Sequence, residues 1–205
     1  IRMTALYLHD LNAGKEVGAA AARLIRSGAR MQSLLDGLVD FNRTQLGLGI
    51  HVDRRPCDLR EHLGGQLDEL RAIYPERVVE LGIEGDCCGH WDGARIEQLV
   101  ANLVINAIKY GAPGAPVRIA VTGDDRAVTI DVANAGVPTA PDQLAALFEP
   151  LRRGGGTGSG SSTDEGSLGL GLFIAREVAH AHGGSIAARC DGAQTVFSVR
   201  LPKAI

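Results

Sequence analysis

Asn102 and Asn106 stand four residues apart in NLVINAIKY (Asn102 to Tyr110), with Lys109 and Tyr110 one turn further on. In a helix that spacing puts both amides on one face, while Leu99, Val100, Leu103, Val104, Ala107 and Ile108 form an apolar remainder. Asparagine is a poor helix former, so a pair in an apolar helix marks either a solvated stripe or a ligand. Magnesium carrying a triphosphate takes oxygen ligands and keeps several waters, so one or two neutral amide oxygens suffice when the phosphates bring the charge. Lys109 adds a cation for those phosphates. A second stretch, ANAG (Ala133 to Gly136), offers Asn134 as an acceptor for an adenine amine and Gly136 for close approach of backbone to a flat ring. The third, GLGLFIARE, sets Gly169 and Gly171 at a helix start, where unpaired N–H groups and the helix dipole favour anions. Taken singly these are surface amides, a turn and a common helix opening. In this order they describe a site for ATP with magnesium.

The elements that must position these groups are legible from periodicity and punctuation. From Lys15 to Leu46 there is no proline, and Val17, Ala21, Leu24, Gly28, Met31, Leu35 and Leu38 recur at spacings of four and three, which predicts a long helix with a heptad seam. Leu34, Val39 and Phe41 widen that seam, as a four-helix bundle made from two chains requires. HDLNAGK (His9 to Lys15) predicts a turn before the long helix, and a lone amphipathic helix packed on its own domain is the alternative. Gly47 and Pro56 mark a boundary, and a second unit is expected from Ile50. Helices are predicted from Asp58 to Ile73, Asp92 to Tyr110, Pro141 to Leu147 and Leu168 to His182. Strands are predicted around Val79 to Ile83, Val117 to Val121, Val128 to Val132, Ser185 to Arg189 and Thr195 to Leu201. Grouped so, they form one mixed sheet with helices on one face. RRGGGTGSGSSTDEGS (Arg152 to Ser167) reads as a mobile loop inside that unit, because the chain after it completes the same sheet.

A net charge of −3, with the 21 Lys and Arg dispersed, argues against a nucleic-acid partner. No apolar run approaches the ~20 residues that cross a bilayer, so no membrane contact is expected from this chain. The opening IRMTALYLHD shows no export signal and reads as the tail of an earlier helix. Cys57, Cys87, Cys88 and Cys190 lack zinc spacing and are expected as reduced thiols in a cytoplasm.

Amide helix, ANAG strand, LFEPLRRG (Leu147 to Gly154), flexible loop, GLGL helix, HGGSI (His182 to Ile186) and QTVFSVRLP (Gln194 to Pro202) follow one another in an order that resembles the ATP-binding region of sensor histidine kinases. The likeness covers nearly the whole chain. RSGARMQSLLDGLVDFNR (Arg26 to Arg43) is similar to the second helix of that family's dimerisation and histidine-phosphotransfer domain, in wording close to bacteriophytochrome kinases. The resemblance implies an α+β fold, with a helical dimerisation segment at 1–47 and a two-layer α/β sandwich of the gyrase-type ATPase kind at 50–205. It implies that Asn106 binds magnesium with Asn102 assisting, and that Lys109 and Tyr110 lie along the nucleotide. Asn134 takes the place of the family's adenine-binding Asp. Gly136, Gly169, Leu170, Gly171 and Leu172 match its nucleotide-contacting backbone, Phe148 anchors a lid over about 149–168, and Thr195 lies near the adenine. The implied cofactors are ATP and Mg2+. The implied partners are a second copy, through the helices of 1–47, and the receiver domain of a response regulator.

Departures from the family's pattern have consequences. Neutral Asn134 removes charge assistance from the adenine contact, and Pro138 and Ser167 stand where glycines are usual, so weak to moderate ATP affinity is expected. His9, in HDLN, superficially resembles the phosphoacceptor motif, but Asn12 and Gly14 would break a helix beside it and no room remains for the helical hairpin. The acceptor is therefore expected upstream of Ile1; no catalytic residue is assigned within the chain, which by itself would not phosphorylate itself. Gyrase-like ATPases carry a water-activating glutamate where this chain has Asn102, and an amide cannot take that proton. A degenerate kinase serving as a nucleotide-binding or dimerisation module is the remaining alternative.

Overall fold

A computed structural model describes residues 15–136, 144, 146–151 and 168–203. Helix α1 (Lys15–Gln45) is the predicted long helix; it ends as Gly47, with φ +73°, donates its N–H to Thr44 O. Strand β1 (Arg55–Asp58) leads into α2 (Leu59–Ile73), whose N-cap Asp58 accepts from the Arg60 N–H at 2.9 Å. Capping satisfies one of the donors that every helix start leaves unpaired. Leu59, Leu63, Leu67 and Leu70 make the buried stripe of α2.

Then come β2 (Val79–Gly85), β3 (Cys88–Trp91), α3 (Gly93–Tyr110), β4 (Val117–Gly123), β5 (Ala127–Ala135), α4 (Gly171–Ala181), β6 (Ser185–Asp191) and β7 (Gln194–Pro202). A five-stranded sheet has the order β2-β4-β5-β7-β6, parallel at β2–β4 and antiparallel elsewhere. One face is apolar by alternation: Val117, Ile119 and Val121 of β4, Val128, Ile130 and Val132 of β5, and Phe197, Val199 and Leu201 of β7 are buried. They join the buried sides of α2, α3 and α4 in one core. The opposite face carries surface ion pairs, Arg118 to Glu80 at 3.0 Å and Arg189 to Asp131 at 3.1 Å. This is the expected mixed sheet with helices on one face.

The structure departs from the sequence expectation in two places. Strands β1 and β3 form a separate two-stranded antiparallel sheet that periodicity did not show. Helix α4 starts at Gly171 rather than Leu168, because Gly169 adopts φ +67°, outside the helical region. The turn at His9 to Lys15 lies outside the described residues up to Gly14, as do most of the helix expected at Pro141 to Leu147, most of the lid, Pro138 and Ser167. None of the four cysteines is in a disulfide. Burial pushes the Cys57 thiol up to about 11, so it stays protonated.

Candidate nucleotide-binding site

Helix α3 is the rod along which the candidate residues are arranged. Asp92 caps its start, accepting from the Arg95 N–H at 3.2 Å. Ile96, Leu99, Val100, Leu103, Val104, Ala107 and Ile108 are buried, which fixes the rotation of the helix and leaves Asn102 and Asn106 half-buried on the remaining face. Asn102 lies against the first residue of α4: a Cβ added at Gly171 would sit 3.5 Å from its Oδ1 and 3.6 Å from its Cγ. The amide helix and the glycine-led helix therefore meet at this point.

The end of β5 meets the other end of α3. A Cβ at Gly136 would come within 3.1 Å of Tyr110 O and 3.5 Å of Asn134 Nδ2, so any larger residue would push the strand end a few tenths of an ångström away from α3. The Ala112 N–H donates to Ala135 O at 2.7 Å and the Gly136 N–H to Ala193 O at 2.9 Å, which clamps the strand end between α3 and the β6–β7 turn. From Asn102 to Tyr110 the helix rises about 12 Å.

Asn134 is 5% exposed, and its Nδ2 donates to Ala135 O at 3.4 Å. In register beside it on β7 is Thr195, also buried, whose Oγ1 is 3.8 Å from Cys190 Sγ. Among the described residues no side chain caps α4 at Leu170, and the first-turn N–H groups of a helix favour an anion. Leu170 is buried and Leu172 half-buried, and the Leu151 N–H donates to Gly169 O at 3.2 Å. Phe148 is buried edge-on against Phe197, ring centres 6.2 Å apart. Lys109 Nζ lies 5.0 Å from the centre of the exposed Tyr110 ring. The structure thus joins Asn102 to Gly171, and gathers Asn134, Gly136, Tyr110 and Thr195 at the opposite end.

His182 was not singled out in the sequence, where HGGSI offers only a histidine before two glycines. It is fully buried and ties the two site helices together. Its Nε2 stands 3.0 Å from the Asp92 N–H and must accept, which places the ring proton on Nδ1, donating to Val178 O at 2.8 Å. Burial, the largest cause, lowers its pKa below the usual 6.5. A depressed base stays neutral when folded while the unfolded chain takes up a proton, so stability is present above pH ~6.5 and is lost as pH falls towards the folded value. Urea unfolding of the wild type should show decreasing stability from pH 7 to pH 5. The difference between wild type and His182→Gln should carry most of that slope, and parallel curves would count against it.

Residues 91–205 match the family described as Histidine kinase-, DNA gyrase B-, and HSP90-like ATPase. The chain is 31% identical to the bacteriophytochrome of Pseudomonas aeruginosa over 216 residues, covering 98% of this chain and 29% of that protein. It is 33% identical to the sensor protein CutS of Streptomyces coelicolor over 200 residues, 96% of this chain and 47% of the relative. It therefore spans less than half of either relative. Among solved structures, full-length ShkA in complex with AMPPNP superposes with a TM-score of 0.69 at 24% identity, covering 98% of this chain and 42% of that one, a likeness of fold.

Proposed function

From the premise that this chain belongs to the histidine kinase-, DNA gyrase B- and HSP90-like ATPases and has sensor kinases as relatives, we propose that its α3–β5–α4 site holds magnesium and ATP for transfer of the terminal phosphoryl group to a histidine and relay to a response regulator's aspartate. Bound magnesium would neutralise phosphate charge, and the chain's own residues do the holding. Asn106, with Asn102, offers amide oxygens on one face of α3. Asn134, its Nδ2 committed to Ala135 O, leaves its Oδ1 to accept from the adenine amine. The first turn of α4 presents N–H groups to the phosphates, and Gly136 admits the ring beside Tyr110. Positioning and charge neutralisation are most of what phosphoryl transfer needs. An amide at 102 takes no proton from water, which speaks against a hydrolase of the gyrase kind.

Residues 50–205 serve in this reading as the ATP-binding body and 1–47 as a helical arm in a cytoplasmic homodimer. Supporting the dimer, Leu24, Met31, Leu35 and Leu38 of the heptad seam are all between 44% and 60% exposed. No helix among the described residues is long and apolar enough to cross a membrane.

The observation that carries the ATP reading is the closeness of Asn102 to Gly171, where an added Cβ would meet the amide oxygen at 3.5 Å, which brings the amide face to the anion-favouring helix start. Calorimetric titration of ATP with magnesium should show saturable binding, and none at millimolar nucleotide would sink the reading in favour of a non-binding module. Asn134→Asp restores charge to the adenine contact and should tighten binding about fivefold, the equivalent of roughly 1 kcal/mol.

A further inference from the structure

The polar face of α3 does not begin at Asn102. Towards the helix start it continues through Gln98 and Arg95, four and seven residues earlier and on the same side. These two hold Asp40 of α1: Arg95 Nη1 donates to Asp40 Oδ2 at 2.7 Å, and Gln98 Nε2 donates to the same oxygen at 3.2 Å. Arg95 Nη1 also reaches Gln98 Oε1 at 2.8 Å, so the three side chains form one closed cluster. Asp40 is 3% exposed, although Leu38 and Val39 beside it are exposed. A carboxylate is seldom buried unless paired, and nothing in a freely solvated helix would bury one while leaving leucine and valine outside. One residue on, Phe41 meets Phe173 edge-on with ring centres 5.7 Å apart. Phe173 is in the first turn of α4, two residues after Gly171, and Arg176 lies 5.4 Å from its ring centre. Within two consecutive residues the arm grips both helices of the nucleotide site.

We propose that Asp40, Arg95 and Gln98 are positioning residues that couple docking of the α1 arm to nucleotide binding. The proposal rests on the ATP reading above. The grip is made on the same face of α3 that carries Asn102 and Asn106, and beside the α4 turn that receives the phosphates. A docked arm orders both before the nucleotide arrives, so less ordering is left to oppose binding. Coupling of this kind is reciprocal: the factor by which the arm strengthens ATP is the factor by which ATP strengthens the arm.

The test measures amide exchange at residues 36–44 and magnesium-ATP affinity in the intact chain, for wild type, Asp40→Ala, Asp40→Asn and the charge-exchanged pair Asp40→Arg with Arg95→Asp. Asp40→Ala is expected to speed exchange in the arm about tenfold and to weaken ATP about three- to tenfold. Asp40→Asn, which keeps the shape and one acceptor oxygen, should fall between. The charge-exchanged pair should recover a large part of both effects, which a general loss of packing would not permit, and unchanged Trp91 fluorescence reports that the body stays folded. Saturating ATP should in turn slow exchange in the wild-type arm. Unchanged exchange in Asp40→Ala, or a loosened arm with unchanged or tighter ATP binding, overturns the proposal. Wild type that binds no ATP overturns instead the reading on which it rests, and the titration of wild type tells the two failures apart.

Discussion

Asn106→Ala is expected to lower magnesium-dependent ATP affinity by about 100-fold or more, since loss even of a group that only supports a metal ligand costs tenfold to 100-fold. Asn106 is half-buried on the polar face of α3, away from the buried stripe of Leu99, Leu103 and Ala107 that holds the helix to the sheet. Alanine is the better helix former by roughly 0.5 kcal/mol, so thermal stability should hold or rise slightly. Binding and stability therefore move apart. Calorimetry with magnesium-ATP, beside a thermal melt followed by circular dichroism, reads both quantities. A fall in stability with ATP affinity unchanged would make Asn106 a structural amide and remove it from the site. Asn102→Ala should weaken binding less, because in the proposed site Asn102 only assists Asn106 and its side chain also faces the start of α4 at Gly171.

The parts of this fold that were legible in the sequence are those specified by neighbours along the chain. Asp58 and Asp92 were readable as caps because a short acceptor before an apolar-periodic run has few other uses there, and both cap in the structure. Strand β4, and β5 from Val128 onward, alternate between buried and more exposed residues, so their buried faces followed. Strands β1 and β3 were not legible: each has four residues, one contains Pro56 and the other Gly89, and they pair only because the chain between them brings their ends together. The α4 start was misplaced because a glycine in sequence does not reveal which backbone region it occupies. For the site, Asn102, Asn106 and Lys109 were visible as a stripe, yet its continuation through Gln98 and Arg95 acquires meaning only from Asp40, more than fifty residues away. His182 was hidden for the same reason, since one of its partners, the Asp92 N–H at the cap of α3, is ninety residues away along the chain.

Trp91→Ala should destabilise the chain by about 3 to 5 kcal/mol, the range for removing a buried tryptophan. Trp91 is 1% exposed, its Nε1–H donates to Pro202 O at 3.0 Å, and the indole lies so close over Gly89 that a Cβ there would come within 2.3 Å of the ring. It is the joint between the small sheet and the last strand of the large one, and it immediately precedes Asp92, the cap of α3. At about 2 to 4 °C per kcal/mol for a chain of this size, the melting temperature should fall by roughly 6 to 20 °C. Trp91→Phe keeps most of the volume and loses the hydrogen bond, and should cost markedly less, about 1 kcal/mol of it from the bond. Because Asp92 remains tied to His182, the amide face of α3 keeps its orientation as long as the body is folded. ATP affinity of Trp91→Ala, measured well below its melting temperature, should therefore lie close to wild type. If affinity collapses while the circular dichroism spectrum stays native, the small sheet sets the geometry of the nucleotide site as well as its stability.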